Sequence, residues 1–336
     1  MGVDCLFCCG RLAMPRKNKL NIVPRFSFCR KFRVWGTHAG KRIMQIFRLV
    51  NYLFSILFIS VAVSCGEPGQ QPDLAEASAL ASSSRLRVLA IGNSFTDNAT
   101  QYIPQLLSAL GTGQDLFFAK TVLGNSTLQQ HWENYQSGAE VYGMSYACGG
   151  AWKHMGNRSL EYAMDFADWD VVVVQQVSWL AGISASYYPW LENIADRLRW
   201  NNPDMAIGWQ MTWAYAPYSS HAEFYRYGND YNRMLEDIAE ATDAARGVAD
   251  FVIPSGLMID RLRGCAADSR IYAPDGFHLS DGVACYALSG LWHETVIAPR
   301  YDSCLDRKSY LGAAALCGVG DDDAADAYEL ILQLIQ

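Results

Sequence analysis

Three side chains of this sequence have the types and setting for acyl transfer. Ser94 stands in Gly92-Asn93-Ser94-Phe95-Thr96, and Asp275 and His278 stand in Pro274-Asp275-Gly276-Phe277-His278-Leu279-Ser280. A serine hydroxyl attacks a carbonyl when a base takes its proton, and an imidazole serves as that base when a carboxylate fixes its tautomer and stabilises the imidazolium. Asp275 precedes His278 by two intervening residues in a loop containing Gly276, which lets both side chains turn to the same side. A lone serine after a strand more often caps the next helix. The Asp and His far downstream shift the balance toward a nucleophile.

These residues need elements to hold them. The run Leu86 to Ile91 is mostly apolar and stops at Gly92, as a buried parallel strand entering a turn would. Ser94 is then just past a strand tip, where open parallel sheets bind ligands. Ile103, Leu106, Leu107 and Leu110 recur at helical spacing, so the serine lies near a helix N-terminus, which favours developing negative charge. Further strands are expected at Asp115 to Val122, at the four valines after Asp170, at Met205 to Met211 and at Phe251 to Ile253. Helical patterns cover 160–167, 190–200 and 225–245, a stretch after His278 and another from Ala324. Strand and helix alternate, which predicts one parallel α/β sandwich.

The two motifs together resemble the SGNH hydrolase superfamily, also called GDSL-type esterases and lipases. Within it they resemble a bacterial branch whose nucleophile motif reads Gly-Asn-Ser-Phe. The resemblance covers the chain from Arg85 to the end. It implies a three-layer α/β/α sandwich with a central five-stranded parallel sheet, of flavodoxin-like SGNH hydrolase form. It also implies ester hydrolysis with Ser94 as nucleophile, His278 as base and Asp275 orienting the imidazole. In that superfamily the oxyanion is held by the nucleophile's own N–H, by a glycine N–H after the second strand and by an Asn side chain after the third. Ser94 and Gly124 take the first two places. At the third most members read Gly-x-Asn-Asp, whereas this chain reads Val174-Gln175-Gln176-Val177. Glutamine carries the same amide donor on a longer stem, and side chains alternate along a strand, so one of the two faces the site. Gln176 is the expected donor, with Gln175 beside it or, alternatively, both satisfying backbone groups. His131 resembles a recurrent feature of the same branch and either lines the pocket or packs as a structural residue.

Aromatic residues are dense from Trp179 to Tyr227. Trp190 and Trp200 are expected in the core. Trp213 and Tyr215 follow the fourth predicted strand, on the crevice side, where flat rings suit the C–H faces of sugars. No cofactor is implied, and no spacing of Cys, His, Asp or Glu suggests a metal.

The start of the chain differs from the rest. Residues 1–43 are rich in Lys and Arg and form either a basic extension or a stretch ahead of the true start, Met44. Residues 44–65 read as a lipoprotein signal, with a basic start, a short apolar core and small residues ahead of Cys65, the expected lipidation site. The apolar run is shorter than the ~20 residues a spanning helix needs. Residues 66–84 read as a flexible linker and 85–336 as the hydrolase domain. Removing residues 1–65 takes away 11 of 27 Lys and Arg and one of 34 Asp and Glu, leaving 16 against 33, a net charge of −17. Nucleic acid is therefore not an expected partner. The resemblance implies a serine esterase of the bacterial cell envelope, tethered to the membrane through Cys65, that removes short acyl groups, acetyl above all, from carbohydrate. A lipid or lysophospholipid acyl hydrolase and a non-catalytic glycan-binding lipoprotein are the alternatives.

Overall fold

The computed structural model describes residues 74–111, 115–301 and 304–335. The expected basic extension, the signal segment and Cys65 lie outside the described residues.

Strand β1 (Leu86–Gly92) is the middle of the sheet, pairing in parallel with β2 (Leu116–Val122) on one side and β5 (Val171–Val174) on the other. β6 (Ala206–Gln210) and β7 (Phe251–Ile253) continue the parallel run from β5. These are the five strands expected from the sequence. Two more, β3 (Tyr142–Cys148) and β4 (Ala151–Arg158), form an antiparallel hairpin on the free edge of β2, so the order is β4-β3-β2-β1-β5-β6-β7.

Both faces of the parallel strands are covered. Val88 and Ala90 of β1 point into one apolar core and Leu89 and Ile91 into the other, and the valines of β5 divide in the same way. This is the period of two that a doubly covered strand must show. The first core is closed by α2 (Ser94–Thr100), α3 (Ile103–Leu110), α7 (Tyr231–Ala245), α8 (Ser255–Leu262), α10 (Val283–Trp292), α12 (Arg307–Ala314) and α13 (Asp321–Ile335). The second is closed by α1 (Leu74–Ser83), α4 (Leu128–Ser137), α5 (Leu160–Asp165) and α6 (Trp190–Asn201). The remaining short helices are α9 (Asp268–Ile271) and α11 (Ala298–Tyr301).

Two local expectations change. Residues 74–83 are helix rather than tether: Ala77 and Ala81 are buried, while Glu76 pairs with Lys153 of β4 at 2.7 Å and accepts the Tyr146 hydroxyl of β3 at 2.7 Å. Trp200, expected in the core, ends α6 with 85% of its surface exposed. It lies on the last turn of an amphipathic helix whose apolar stripe is Leu191, Ile194, Ala195 and Leu198, and position 200 falls off that stripe.

Candidate active site

The chain reverses at the carboxyl end of β1, and the reversal demands Gly92. A Cβ there would lie 2.1 Å from the Thr96 hydroxyl and 3.1 Å from the Gln175 side chain. Asn93 then caps α2, its Oδ1 accepting the Phe95 N–H at 3.0 Å. Ser94 is the first residue of that helix. The cap residue is therefore Asn93, and the Ser94 hydroxyl is left for another partner.

That partner is His278. Ser94 Oγ lies 2.8 Å from His278 Nε2, and His278 Nδ1 lies 2.7 Å from Asp275 Oδ2. An ionised carboxylate only accepts, so Nδ1 carries the ring proton and Nε2 is free to accept from the serine. The other oxygen of Asp275 accepts the N–H groups of Phe277 and His278, each at 3.0 Å. Burial works against the Asp275 charge, but the Phe277 N–H, the His278 ring and the His278 N–H outweigh it and hold the carboxyl below its ordinary range.

The loop carrying Asp275 and His278 is cinched by its own backbone. Ala273 N donates to His278 O at 2.9 Å, Gly276 N to Ala273 O at 2.9 Å, and Ala216 N to Gly276 O at 2.7 Å. Gly276 has φ +74, and a Cβ there would lie 2.7 Å from Ser219 Cα. Trp213 Nε1 donates to Phe277 O at 2.9 Å. Asn98 of α2 accepts the Leu279 N–H at 3.1 Å and so ties the nucleophile's helix to the histidine loop. The sequence offered Asn98 only as a polar residue early in a helix, and its partner is 181 residues away.

The loop after β2 joins the nucleophile turn from the other side. Leu123 N donates to Gly92 O at 3.0 Å, and Asn93 Nδ2 donates to Ser126 O at 3.2 Å. Gly124 and Asn125 lie between these two anchors, both exposed. The N–H groups of Ser94 and Gly124 have no acceptor among the described residues, as donors kept for an oxyanion would have.

The two glutamines are placed differently from the expectation. Gln176 Oε1 accepts the Leu128 and Val177 N–H groups at 3.0 and 2.9 Å, and its Nε2 donates to Ser186 O and Oγ, both at 3.1 Å. Its donor is thus committed to Ser186, and Gln176 fastens α4 to the segment after β5. Gln175 is the one that reaches the nucleophile turn, its Nε2 donating to Asn93 Oδ1 at 2.7 Å.

Trp213 and Tyr215, expected at the pocket, lie inside the protein, and His131 takes its structural alternative. His131 is 1% exposed, with Nε2 3.1 Å from Ser126 Oγ and Nδ1 2.9 Å from the Tyr142 hydroxyl; burial pushes its pKa down to about 4. It braces the loop after β2 from behind. Trp213 and Tyr215 are fully buried, Trp213 stacked on Phe95 at 4.2 Å and Tyr215 bonded to Ser178 Oγ at 2.7 Å. The aromatic that does stand at the rim is Trp179, partly exposed, whose Nε1 donates to Asn125 Oδ1 at 3.0 Å. The Arg226 guanidinium lies over its ring at 5.3 Å. A tryptophan five residues beyond the last valine of β5 stands at the sheet's carboxyl edge, a signal the sequence carried.

Among the described residues no group of His, Cys, Asp and Glu is placed to hold a metal ion, and no helix is long and apolar enough to cross a membrane.

The fold is a mixed α/β sandwich built on a seven-stranded sheet. Among solved structures the chain is similar to a DUF4886 family protein from Bacteroides uniformis, at 26% identity and a TM-score of 0.62, covering 75% of this chain and 96% of that one. It is also similar to a candidate SGNH hydrolase from Slackia heliotrinireducens (19% identity, 62% and 98% covered, TM-score 0.44) and to a family 3 carbohydrate esterase from Clostridium thermocellum (13%, 65% and 98%, 0.40). At such TM-scores these last two say nothing of activity here. A search of the curated proteins finds no match. Residues 87–304 match the model of one family, and the chain accordingly belongs to it: Domain of unknown function (DUF4886).

Proposed function

We propose that this protein is a serine ester hydrolase acting on short acyl esters, acetyl above all, of carbohydrate. The observation that carries the reading is the continuous hydrogen-bond chain from Asp275 through His278 to Ser94. Ser94 Oγ adds to the ester carbonyl carbon while its proton passes to His278 Nε2, and the carbonyl electron pair moves onto oxygen. The Ser94 and Gly124 N–H groups stabilise that oxyanion. Collapse expels the alcohol, which takes the proton from Nε2 and leaves Ser94 acylated. Water, deprotonated by Nε2, then adds to the acyl carbon, and collapse breaks the bond to Ser94 Oγ, which takes the proton back from Nε2 as the acid leaves.

Trp213 and Tyr215, the rings expected to face a sugar, are buried in the core and lend the carbohydrate reading nothing. What supports a sugar is the aromatic pair beside the loop after β2, the partly exposed Trp179 and the 60%-exposed Tyr225, with the Arg226 guanidinium lying over both rings. Purified protein should react with a fluorophosphonate probe at Ser94, release p-nitrophenol from the acetate ester faster than from the palmitate ester, and release acetate from an acetylated oligosaccharide. Absence of labelling on folded protein overturns the reading. Faster palmitate turnover would move it to lipids.

The same reading places the domain at the bacterial cell envelope, anchored through a lipid on Cys65, with no role for nucleic acid. Support comes from the signal-like segment ahead of Cys65 and the acidity of the remainder. Expression in a bacterial host should give a membrane-associated product that incorporates labelled palmitate, and Cys65→Ala should abolish the incorporation. A mature protein that retains residues 44–64 would refute the anchor.

A further inference from the structure

We propose that the side chain of Asn125 supplies the third donor to the oxyanion and that Trp179 is the positioning residue that aims it. This rests on the ester-hydrolase reading above. The expected side-chain donor is occupied here, since both hydrogens of Gln176 Nε2 have acceptors on Ser186, while the buried Gln175 Nε2 gives one of its two to Asn93 behind the serine. The loop after β2 is bonded to the nucleophile turn at both its ends, Leu123 to Gly92 and Ser126 to Asn93. Gly124 and Asn125 alone bridge those anchors, so Asn125 is carried along the same flank of Ser94 as the Gly124 N–H.

The conformation of Asn125 is unusual. Leu123 to Ser126 form a turn closed by Ser126 N donating to Leu123 O at 3.2 Å, with Asn125 third at φ 58. Glycine meets that requirement more easily than any residue with a Cβ. Asparagine also meets it, so the turn accounts for the residue type and the aim of its amide carries the argument. Its amide is also oriented: an indole Nε1–H is a donor only, so the atom it meets is Oδ1, and Nδ2 with both its hydrogens is turned away from Trp179. Nδ2 has no acceptor among the described residues. Trp179 is itself held, its carbonyl accepting the Tyr227 hydroxyl at 3.2 Å and its ring lying under Arg226, which pairs with Glu223 at 2.6 Å. A neutral amide fixed by its oxygen and free at its nitrogen is the form in which a side chain stabilises an oxyanion without reorganising.

The test uses the whole protein, p-nitrophenyl acetate as substrate, and the rate at which a fluorophosphonate modifies Ser94, because the phosphonyl oxygen of the adduct sits where the oxyanion would. Asn125→Ala should lower kcat and the phosphonylation rate by ~10²-fold. KM should stay within about twofold, since the contact is made in the transition state. Asn125→Asp, which keeps the shape and replaces the donor with a charge, should be at least as slow. Trp179→Phe keeps a ring and removes the Nε1–H, and should cost about 10-fold in kcat through loss of aim. Thermal midpoints near that of the parent would separate these losses from unfolding. If Asn125→Ala keeps its kcat and phosphonylation rate while Ser94 is labelled normally, the inference fails and the hydrolase reading stands. A raised KM with unchanged kcat would overturn the oxyanion role as well. Should Ser94 of the parent protein not react at all, both fall together.

Discussion

The Ser94 hydroxyl and the His278 imidazole are held in place by different means. Around Ser94 the work is done by amide and imidazole side chains: Gln175 on Asn93, Asn93 on Ser126, and Ser126 on His131, in a layer that burial removes from solvent. Around His278 main chain does most of it, with three backbone bonds within and beside the turn and a glycine in the left-handed region, joined by the Trp213 and Asn98 side chains, and Asp275 and His278 are themselves half-buried. A side-chain scaffold aims a group by polar bonds that titration can break. A backbone scaffold aims it by conformation, and is broken by sterics.

That contrast can be attacked from both sides. The largest effect is on the hydroxyl and imidazole they aim: Ser94→Ala and His278→Ala should each lower hydrolysis of p-nitrophenyl acetate by on the order of 10⁴ or more. The double variant should be scarcely worse than either, because groups acting as a unit lose their effect together. Multiplying losses would show that the two act separately. Next is Gly276→Ala, which forces a Cβ to 2.7 Å from Ser219 Cα at φ +74 and should cost about 3 kcal/mol in urea unfolding, with loss of turnover. A variant as stable as the parent would mean that the backbone scaffold yields.

Acid should separate the two scaffolds. His131 is held neutral with its pKa lowered from 6.5 to about 4, so its contribution is intact above pH 6.5 and is lost as pH falls toward 4, while the unfolded chain takes up a proton that the folded one refuses. The loss amounts to roughly 3 kcal/mol. Asp275, also lowered, loses its contribution only below its ordinary 3.8, as protonation reaches the folded form. Urea midpoints measured from pH 7 to 3 should therefore fall first through the His131 window. A flat response there would show that the imidazole finds its proton without opening the structure.

The smallest effects are the sharpest. Gln176→Ala strands the Leu128 and Val177 N–H groups and should cost ~1–3 kcal/mol of stability with kcat unchanged. Gln175→Ala should lower kcat about 10-fold by releasing Asn93 behind the nucleophile. The reverse pattern would restore Gln176 as an oxyanion donor.

The glutamines also show where a sequence stops being readable. The period of two holds along a strand, and β5 ends at Val174, so alternation says nothing of Gln175 and Gln176 just beyond it. Trp213 and Tyr215 mislead for a related reason, since the chain beyond Gln210 stays buried through Ala216 instead of rising into the crevice. The parallel strands and the Ser94, Asp275 and His278 set were legible because apolar runs and local motifs encode them. The β3–β4 hairpin was obscure because Tyr142 to Arg158 holds four glycines and turns Lys153, His154 and Arg158 outward, leaving a weak alternation with Tyr142, Met144 and Tyr146 inside. Only the fold gives Asn98, Asn125 and Trp179 their partners.

The bond between Ser94 and His278 spans 184 residues of chain, and its two ends leave the ribosome at very different times. The serine is made with the first strand and its helix, and until residue 278 has emerged it has no base. Even when His278 has emerged, the end of α2 is held by the buried helix α10, whose Ser289 accepts the Tyr102 N–H and donates to Ala99 O, so that helix must follow before the pair is held. A chain cut short anywhere before α10 carries the hydroxyl without the means to ionise it. On the ester-hydrolase reading, the serine gains its reactivity only when those later residues have closed around it.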